Sequence, residues 1–160
     1  TEELARCPGF GAVGSRRVPA ALELARRCVA EELESTDVLS SPQLVRDFLH
    51  QHLSFRDREV FCCLYLDSQH RLLRYDELFF GTLDGAAVYP REVAVRALQY
   101  RAGGLIFAHN HPSGVAQPSA ADRRITERLS SALALFDIRV LDHLIVGRGT
   151  TYSFAENGIL

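Results

Sequence analysis

Apolar residues recur along this chain in two rhythms, and the changes of rhythm mark out its elements. "VFCCLYL" (60–66) is an unbroken apolar run, short enough for a strand buried on both faces. "DSQH" after it has turn composition and leads to a second strand near Leu72 and Tyr75, so the pair reads as a hairpin. "LIFA" (105–108) and "IRVLDHLIVG" (138–147) are two further strands, and "TTYSFAENGIL" (150–160) adds a short strand and a terminal turn.

Between these runs the spacing changes to that of helices. Ser41 is a suitable N-cap and Pro42 a first helical residue for a helix through Leu44, Phe48 and Leu49 that ends near His52. Pro90 opens another, with Val93, Ala97 and Leu98 facing inward and Gly103 and Gly104 closing it. A third begins at Ser119 and carries Ile125, Leu129, Ala132 and Leu133 on one face. Strands and helices that alternate in this way predict an α/β domain around one sheet. The hairpin makes that sheet mixed rather than all parallel.

Residues 1–34 differ from the rest of the chain. "CPGFGAVGSRRVPAALELARRC" has a G-x-G turn and then an arginine-rich helix with Ala20, Leu24 and Cys28 at helical spacing. Residues 35–41 read as a linker, which leaves 42–160 as the main domain.

The 160 residues suffice for one domain with a sizeable core. A net charge of −2 gives no overall attraction to nucleic acid or to an anionic membrane. All 18 basic residues are arginine, which excludes a Walker-type phosphate loop, a Schiff-base lysine and a lysine base. Methionine is absent too, so residue 1 is not expected to be the encoded start. No apolar run approaches the ~20 residues that span a bilayer, and no signal-peptide core opens the chain. The cysteines, at 7, 28, 62 and 63, lack C-x-x-C spacing. They are expected to be buried thiols of a cytoplasmic protein rather than metal ligands.

The candidate chemistry sits in "FAHNHPSGVAQPSAAD" (107–122). On one reading Ser119-x-x-Asp122 is a capping box and the histidines are turn residues. On the other, His109 and His111 at the end of a strand project to the same side and converge on one ion. The chain supplies an internal contrast in "HQH" (50–52): on a helix such residues lie about 200° apart, so His50 and His52 make a solvated surface rather than a chelate. Two histidines and Asp122 would give Zn²⁺ three protein ligands and leave a position open for water. Nitrogen-rich ligation favours zinc over magnesium or calcium, with iron and manganese as alternatives. For the base that such a site needs, the residues alone leave Glu59, Glu77, Asp84 and Glu92 open, although Glu92 is accounted for by its place near a helix start.

His109-x-His111, seven residues, Ser119, two residues and Asp122 resemble the JAMM (MPN-plus) metalloprotease signature without a gap. "REVFCCLYLD", "ELFFGTLDGAAVYPREVAVRAL", "AHNHPSG", "PSAAD" and "DHLIVG" extend the resemblance to the RadC-type bacterial JAMM proteins over about residues 42–160. The resemblance implies a JAMM/MPN-like, cytidine-deaminase-like fold: a mixed sheet flanked by helices, here with a short helical N-terminal segment. It implies His109, His111 and Asp122 as ligands of Zn²⁺ and Ser119 as the group that steadies the oxyanion. It also implies Glu59 as the base. The implied reaction is hydrolysis of a peptide or isopeptide bond in a peptide or protein substrate. Asp142 and His143, adjacent on a strand, face opposite sides, and His143 is a candidate only as a group behind the ligands.

"PGFGAVGSRRV" resembles the second half of a helix-hairpin-helix motif, which implies DNA as a partner through Gly9 and Gly11, with Arg16, Arg17, Arg26 and Arg27 as further phosphate contacts. Ser15 stands where that family usually has alanine, and Pro19 is expected to interrupt the helix start. The competing reading is a solvated helix that docks on, or links to, the main domain. The alternative function is accordingly that of a DNA-binding accessory protein of DNA repair or recombination in which the metal site is structural or regulatory. The H-N-H tripeptide does not make a nuclease of that name, whose residues come from separated positions.

Overall fold

The computed structural model describes residues 2–81 and 88–160. Asp84, one of the four acids open as a base, lies outside the described residues. The elements run in the order α1 (Glu2–Arg6), α2 (Gly11–Ser35), α3 (Pro42–Leu53), β1 (Val60–Leu66), β2 (Leu72–Phe80), α4 (Pro90–Gln99), β3 (Gly104–Asn110), α5 (Ala120–Ala134), β4 (Arg139–Val146) and β5 (Thr151–Ser153). The five strands form one sheet in the order β2-β1-β3-β4-β5. β1 is antiparallel to both β2 and β3, β3 and β4 are parallel, and β4 and β5 are antiparallel. The expected mixed sheet is therefore present, with its single parallel pair joined by α5.

β1 and β3 are buried along their whole lengths because helices cover both faces of the sheet. Alternation sorts their side chains. Val60, Cys62, Leu64, Ile106 and Ala108 pack with Val45, Phe48 and Leu49 of α3. Phe61, Cys63, Tyr65, Leu105 and Phe107 pack with Val93 and Ala97 of α4 and with Leu129 and Leu133 of α5. This sorting places the end of β3: His109 continues the α5 face, whereas Asn110 turns to the α3 face. There Asn110 Oδ1 accepts from Val60 N–H at 2.8 Å, and its Nδ2 donates to the Arg58 carbonyl at 3.0 Å. A side-chain amide thus completes the β1–β3 ladder beside the histidines.

Several expectations need correction. Leu98 is 51% exposed, and Ala94 takes its place on the inner face of α4. Pro19 does not interrupt α2, which runs through it as one helix. The Ala20, Leu24, Cys28 stripe faces solvent, and α2 instead meets the core at its C-terminal end through Val29, Ala30 and Leu33. A 3.6-residue spacing identifies a face but not what covers it. Ser41 precedes α3 without a side-chain cap bond, leaving Pro42 to set the first turn. Residues 36–41 form a turn in which Val38 is buried against α3.

Only two of the four thiols are buried. Cys62 and Cys63 lie on opposite faces of the sheet, and Cys7 and Cys28 are exposed. Burial pushes the Cys62 thiol up to about 12 and the Cys63 thiol well above its usual range. A thiol-specific disulfide reagent at pH 8 is accordingly expected to titrate the exposed pair, Cys7 and Cys28, in the native protein and all four cysteines after denaturation. Rapid reaction of four thiols in the folded protein would contradict this packing.

Candidate metal centre

The site forms where β3 leaves the sheet and α5 begins. Its histidines come from the strand and its carboxylate from the helix. Ser119 is the N-cap of α5: its Oγ accepts from Asp122 N–H at 3.1 Å, and Asp122 Oδ2 accepts from Ser119 N–H at 2.7 Å. This reciprocal capping box fixes the Asp122 side chain against the helix start. The two readings of Ser119 and Asp122 therefore coexist, because the cap itself aims the carboxylate at the histidines.

The imidazoles converge. His109 Nε2 and His111 Nε2 are 3.0 Å apart. Asp122 Oδ1 lies 3.3 Å from His109 Nε2, and Asp122 Oδ2 lies 3.6 Å from His111 Nε2. One donor atom from each of the three falls within 4.8 Å of the others. His109 and Asp122 are buried, at 0% and 1% exposure, and His111 is partly exposed, so the cluster has one open side.

Hydrogen bonding tests whether these residues fit a cation. His111 Nδ1 is 2.8 Å from the Val115 carbonyl, which can only accept, so Nδ1 carries the proton and Nε2 turns a lone pair into the cluster. Asp122 Oδ1 is buried and accepts no hydrogen bond among the described residues. Buried acceptors gathered without donors are costly unless a positive charge lies among them. The donor set fits a divalent ion that prefers nitrogen and oxygen ligands.

Charge interactions within the cluster shift all three groups. Burial alone would raise the Asp122 carboxyl, but the two imidazoles and the Ser119 N–H outweigh it and hold the group well below the usual carboxylate range. Burial lowers His109 against the opposing pull of Asp122, which keeps its ring neutral, as a ligand must be. Asp122 raises His111 despite partial desolvation, and the charge of Glu59 adds to that rise.

Glu59 stands at the same end of the sheet as the cluster. Phe61 pairs with His109 at the last rung of the antiparallel β1–β3 ladder, and Glu59 lies two residues ahead of that rung, just before β1. The ring of Phe61 stacks toward His109 at 6.4 Å. Of the other acids, Glu77 is paired with Arg56 and accepts from Tyr75 Oη at 3.3 Å. Glu92 sits in the first turn of α4 beside Arg91.

His50 and His52 are kept from chelating, but they are not a solvated surface. His50 is held half-buried by Ser54 and Thr151, and His52 Nδ1 donates to the Phe48 carbonyl at 2.8 Å.

Two further groups support the site: Gly147, which local spacing does not disclose, and His143, expected behind the histidines. Gly147, after β4, lies against the loop that joins His111 to Ser119. A Cβ at Gly147 would come within 2.5 Å of the Gly114 carbonyl oxygen and 2.9 Å of Ala116 N. Bonds from His111 N–H to the Val146 carbonyl and from Arg148 N–H to the Gly114 carbonyl tie the same loop to β4. His143, whose Nε2 is 2.8 Å from His109 Nδ1, is fully buried behind the ligands. His111, but none of His109, Ser119 or Asp122, also borders a groove of about 770 Å³, with Arg56, Asp57 and Phe55 on one bank and Gly147 and Arg148 on the other.

A profile of the RadC-like JAB domain matches residues 39–159, which include the whole cluster and Glu59. The chain belongs to the RadC-like JAB domain family. A UPF0758 protein of Aeromonas hydrophila is 55% identical over 152 residues, covering 95% of this chain and 68% of that protein. A UPF0758 protein of Cellvibrio japonicus is 55% identical over 159 residues, 99% of this chain and 71% of its own length. One of Chromohalobacter salexigens is 58% identical over 152 residues. None of these names states an activity. In this RadC-like JAB domain the buried His109, His111 and Asp122 are a group able to hold a metal ion.

The cap and the ligand role of the box separate by substitution. Ser119→Ala is expected to lower stability by about 1 kcal/mol, as loss of an N-cap does, while cobalt binding persists. Asp122→Asn keeps an oxygen for the Ser119 N–H but removes the charge. It is expected to fold and to lose at least tenfold in cobalt affinity. Urea unfolding and cobalt titration check both, and full cobalt affinity in Asp122→Asn would remove Asp122 from the ligand set.

Proposed function

We propose that this RadC-like JAB domain is a zinc-dependent hydrolase of the JAMM type, cleaving a peptide or isopeptide bond. The observation that carries the reading is the convergence of His109, His111 and Asp122 on one point, with His111 partly exposed. A zinc ion held by His109, His111 and Asp122 would supply Lewis acidity, activating a water and polarising the substrate carbonyl.

The chain's own residues have distinct tasks in this mechanism. Glu59, just ahead of β1, accepts a proton from the attacking water and later delivers it to the leaving amine. Ser119 Oγ already accepts from Asp122 N–H, which occupies a lone pair and leaves the hydroxyl proton for the developing oxyanion. Its position at the cap holds it at a fixed distance from Asp122.

Glu59→Gln preserves size and removes the base. It is expected to bind zinc like the parent and to lose at least a hundredfold in hydrolysis of a peptide-library substrate, within the usual range for a general base. Metal analysis and cleavage assays check this together, and full activity in Glu59→Gln would remove Glu59 from the role.

A second reading, DNA binding as an accessory of repair or recombination, is favoured by one feature of the N-terminal segment. Gly9 and Gly11 have φ of +87° and +51°, and nothing lies within 4 Å of where a Cβ would sit on either. Glycine is thus required there for backbone conformation rather than for packing, beside the start of a helix on which Arg16 and Arg17 are exposed. If this turn takes duplex DNA, affinity will fall linearly with log salt, by about 0.9 in slope per phosphate contact. Arg16→Ala combined with Arg17→Ala will reduce that slope. Affinity that does not change with salt would exclude this mode.

A further inference from the structure

The ligands are backed by a chain of hydrogen bonds that runs from α5 through β4 to β3. Thr126 Oγ1 lies 2.6 Å from the Asp122 carbonyl and 2.6 Å from His143 Nδ1. His143 Nε2 lies 2.8 Å from His109 Nδ1. All of these groups are buried, so their protons must be shared among themselves.

Counting protons from the far end gives one arrangement in which the metal side of His109 is bare. The Asp122 carbonyl can only accept, so the Thr126 hydroxyl gives its single proton there. The threonine oxygen then accepts from His143 Nδ1–H. His143 is neutral, its other nitrogen is an acceptor, and His109 Nδ1 supplies the proton. That leaves His109 Nε2 without one, with its lone pair directed at His111 and Asp122. Phe61, Phe107 and Phe154 surround the His143 ring and prevent it from turning to another partner.

We infer that Thr126 and His143 are positioning residues that hold His109 in its Nδ1–H tautomer, with Nε2 presented to a divalent cation. Neither is expected to touch substrate or metal. Without the threonine hydroxyl, His143 has no acceptor for a proton on Nδ1. Its favoured form becomes the Nε2–H tautomer, which donates to His109 Nδ1 and drives the His109 proton onto Nε2, where it blocks ligation. This inference rests on the reading that the cluster holds a divalent ion, and one arm of its test is made without metal so that the two can fail separately.

The test compares the parent chain with Thr126→Val and Thr126→Ser by zinc and cobalt titration. Imidazole tautomers are read in the metal-free proteins by long-range ¹H–¹⁵N correlation. The parent is expected to show His109 protonated at Nδ1 only, and Thr126→Val at Nε2. Thr126→Val should weaken zinc and cobalt about 10–100-fold, the usual effect of losing a group behind a metal ligand, and Thr126→Ser should restore binding. Parent-like affinity in a folded Thr126→Val would overturn the inference. So would weakened binding with the His109 tautomer unchanged, since that describes general loosening. If Thr126→Val does not fold, the parent spectrum decides: a His109 proton on Nε2 refutes the inference and one on Nδ1 supports it. Should the parent bind neither metal, the functional reading fails and the tautomer spectrum still tests the relay.

Discussion

Everything at this site depends on crowding acceptors where water cannot satisfy them. Two imidazole nitrogens and two carboxylate oxygens meet within 3.0–3.6 Å at the end of the sheet's central strand. Such an assembly tolerates only a cation or a proton at its centre. The fold is arranged to enforce it. β3 presents His109 on the α5 face, α5 begins where its capping carboxylate must point back at the histidines, and the β4–β5 turn presses on the connecting loop.

This arrangement gives one residue two tasks. Asp122 satisfies an N–H at the start of its own helix with one oxygen of its carboxylate and turns the other into the cluster. The stability of the helix start and the geometry of the cluster therefore share a residue. The helix start is stiff because it is capped, and a stiff start is what an ion-binding geometry requires. His109 is anchored the same way, with one nitrogen in a buried network and the other at the site.

The residue pattern discloses what lies close together along the chain. The strand at 60–66, the mixed sheet, the H-x-H geometry and the capping box are each specified within a few residues, by alternation or by i, i+3 spacing. What it does not disclose depends on separation. Thr126 and His143 are 17 residues apart, and His143 and His109 are 34, so no local rhythm pairs them. Gly147 is legible as a turn residue, but the 2.5 Å approach that demands glycine belongs to another loop. The outward stripe of α2 and the exposure of Leu98 escape the pattern because a helix period does not say which neighbour arrives. The family match over residues 39–159 names the setting, and the geometry supplies the reasons.

The most direct test of the central claim is X-ray absorption on the full chain loaded with one equivalent of zinc. The account predicts a first shell containing two imidazole nitrogens at about 2.0–2.1 Å together with light oxygen donors. It also predicts loss of the imidazole signature when His109 and His111 are both replaced by alanine. A zinc shell with no imidazole contribution, or one unchanged by that double replacement, would contradict it.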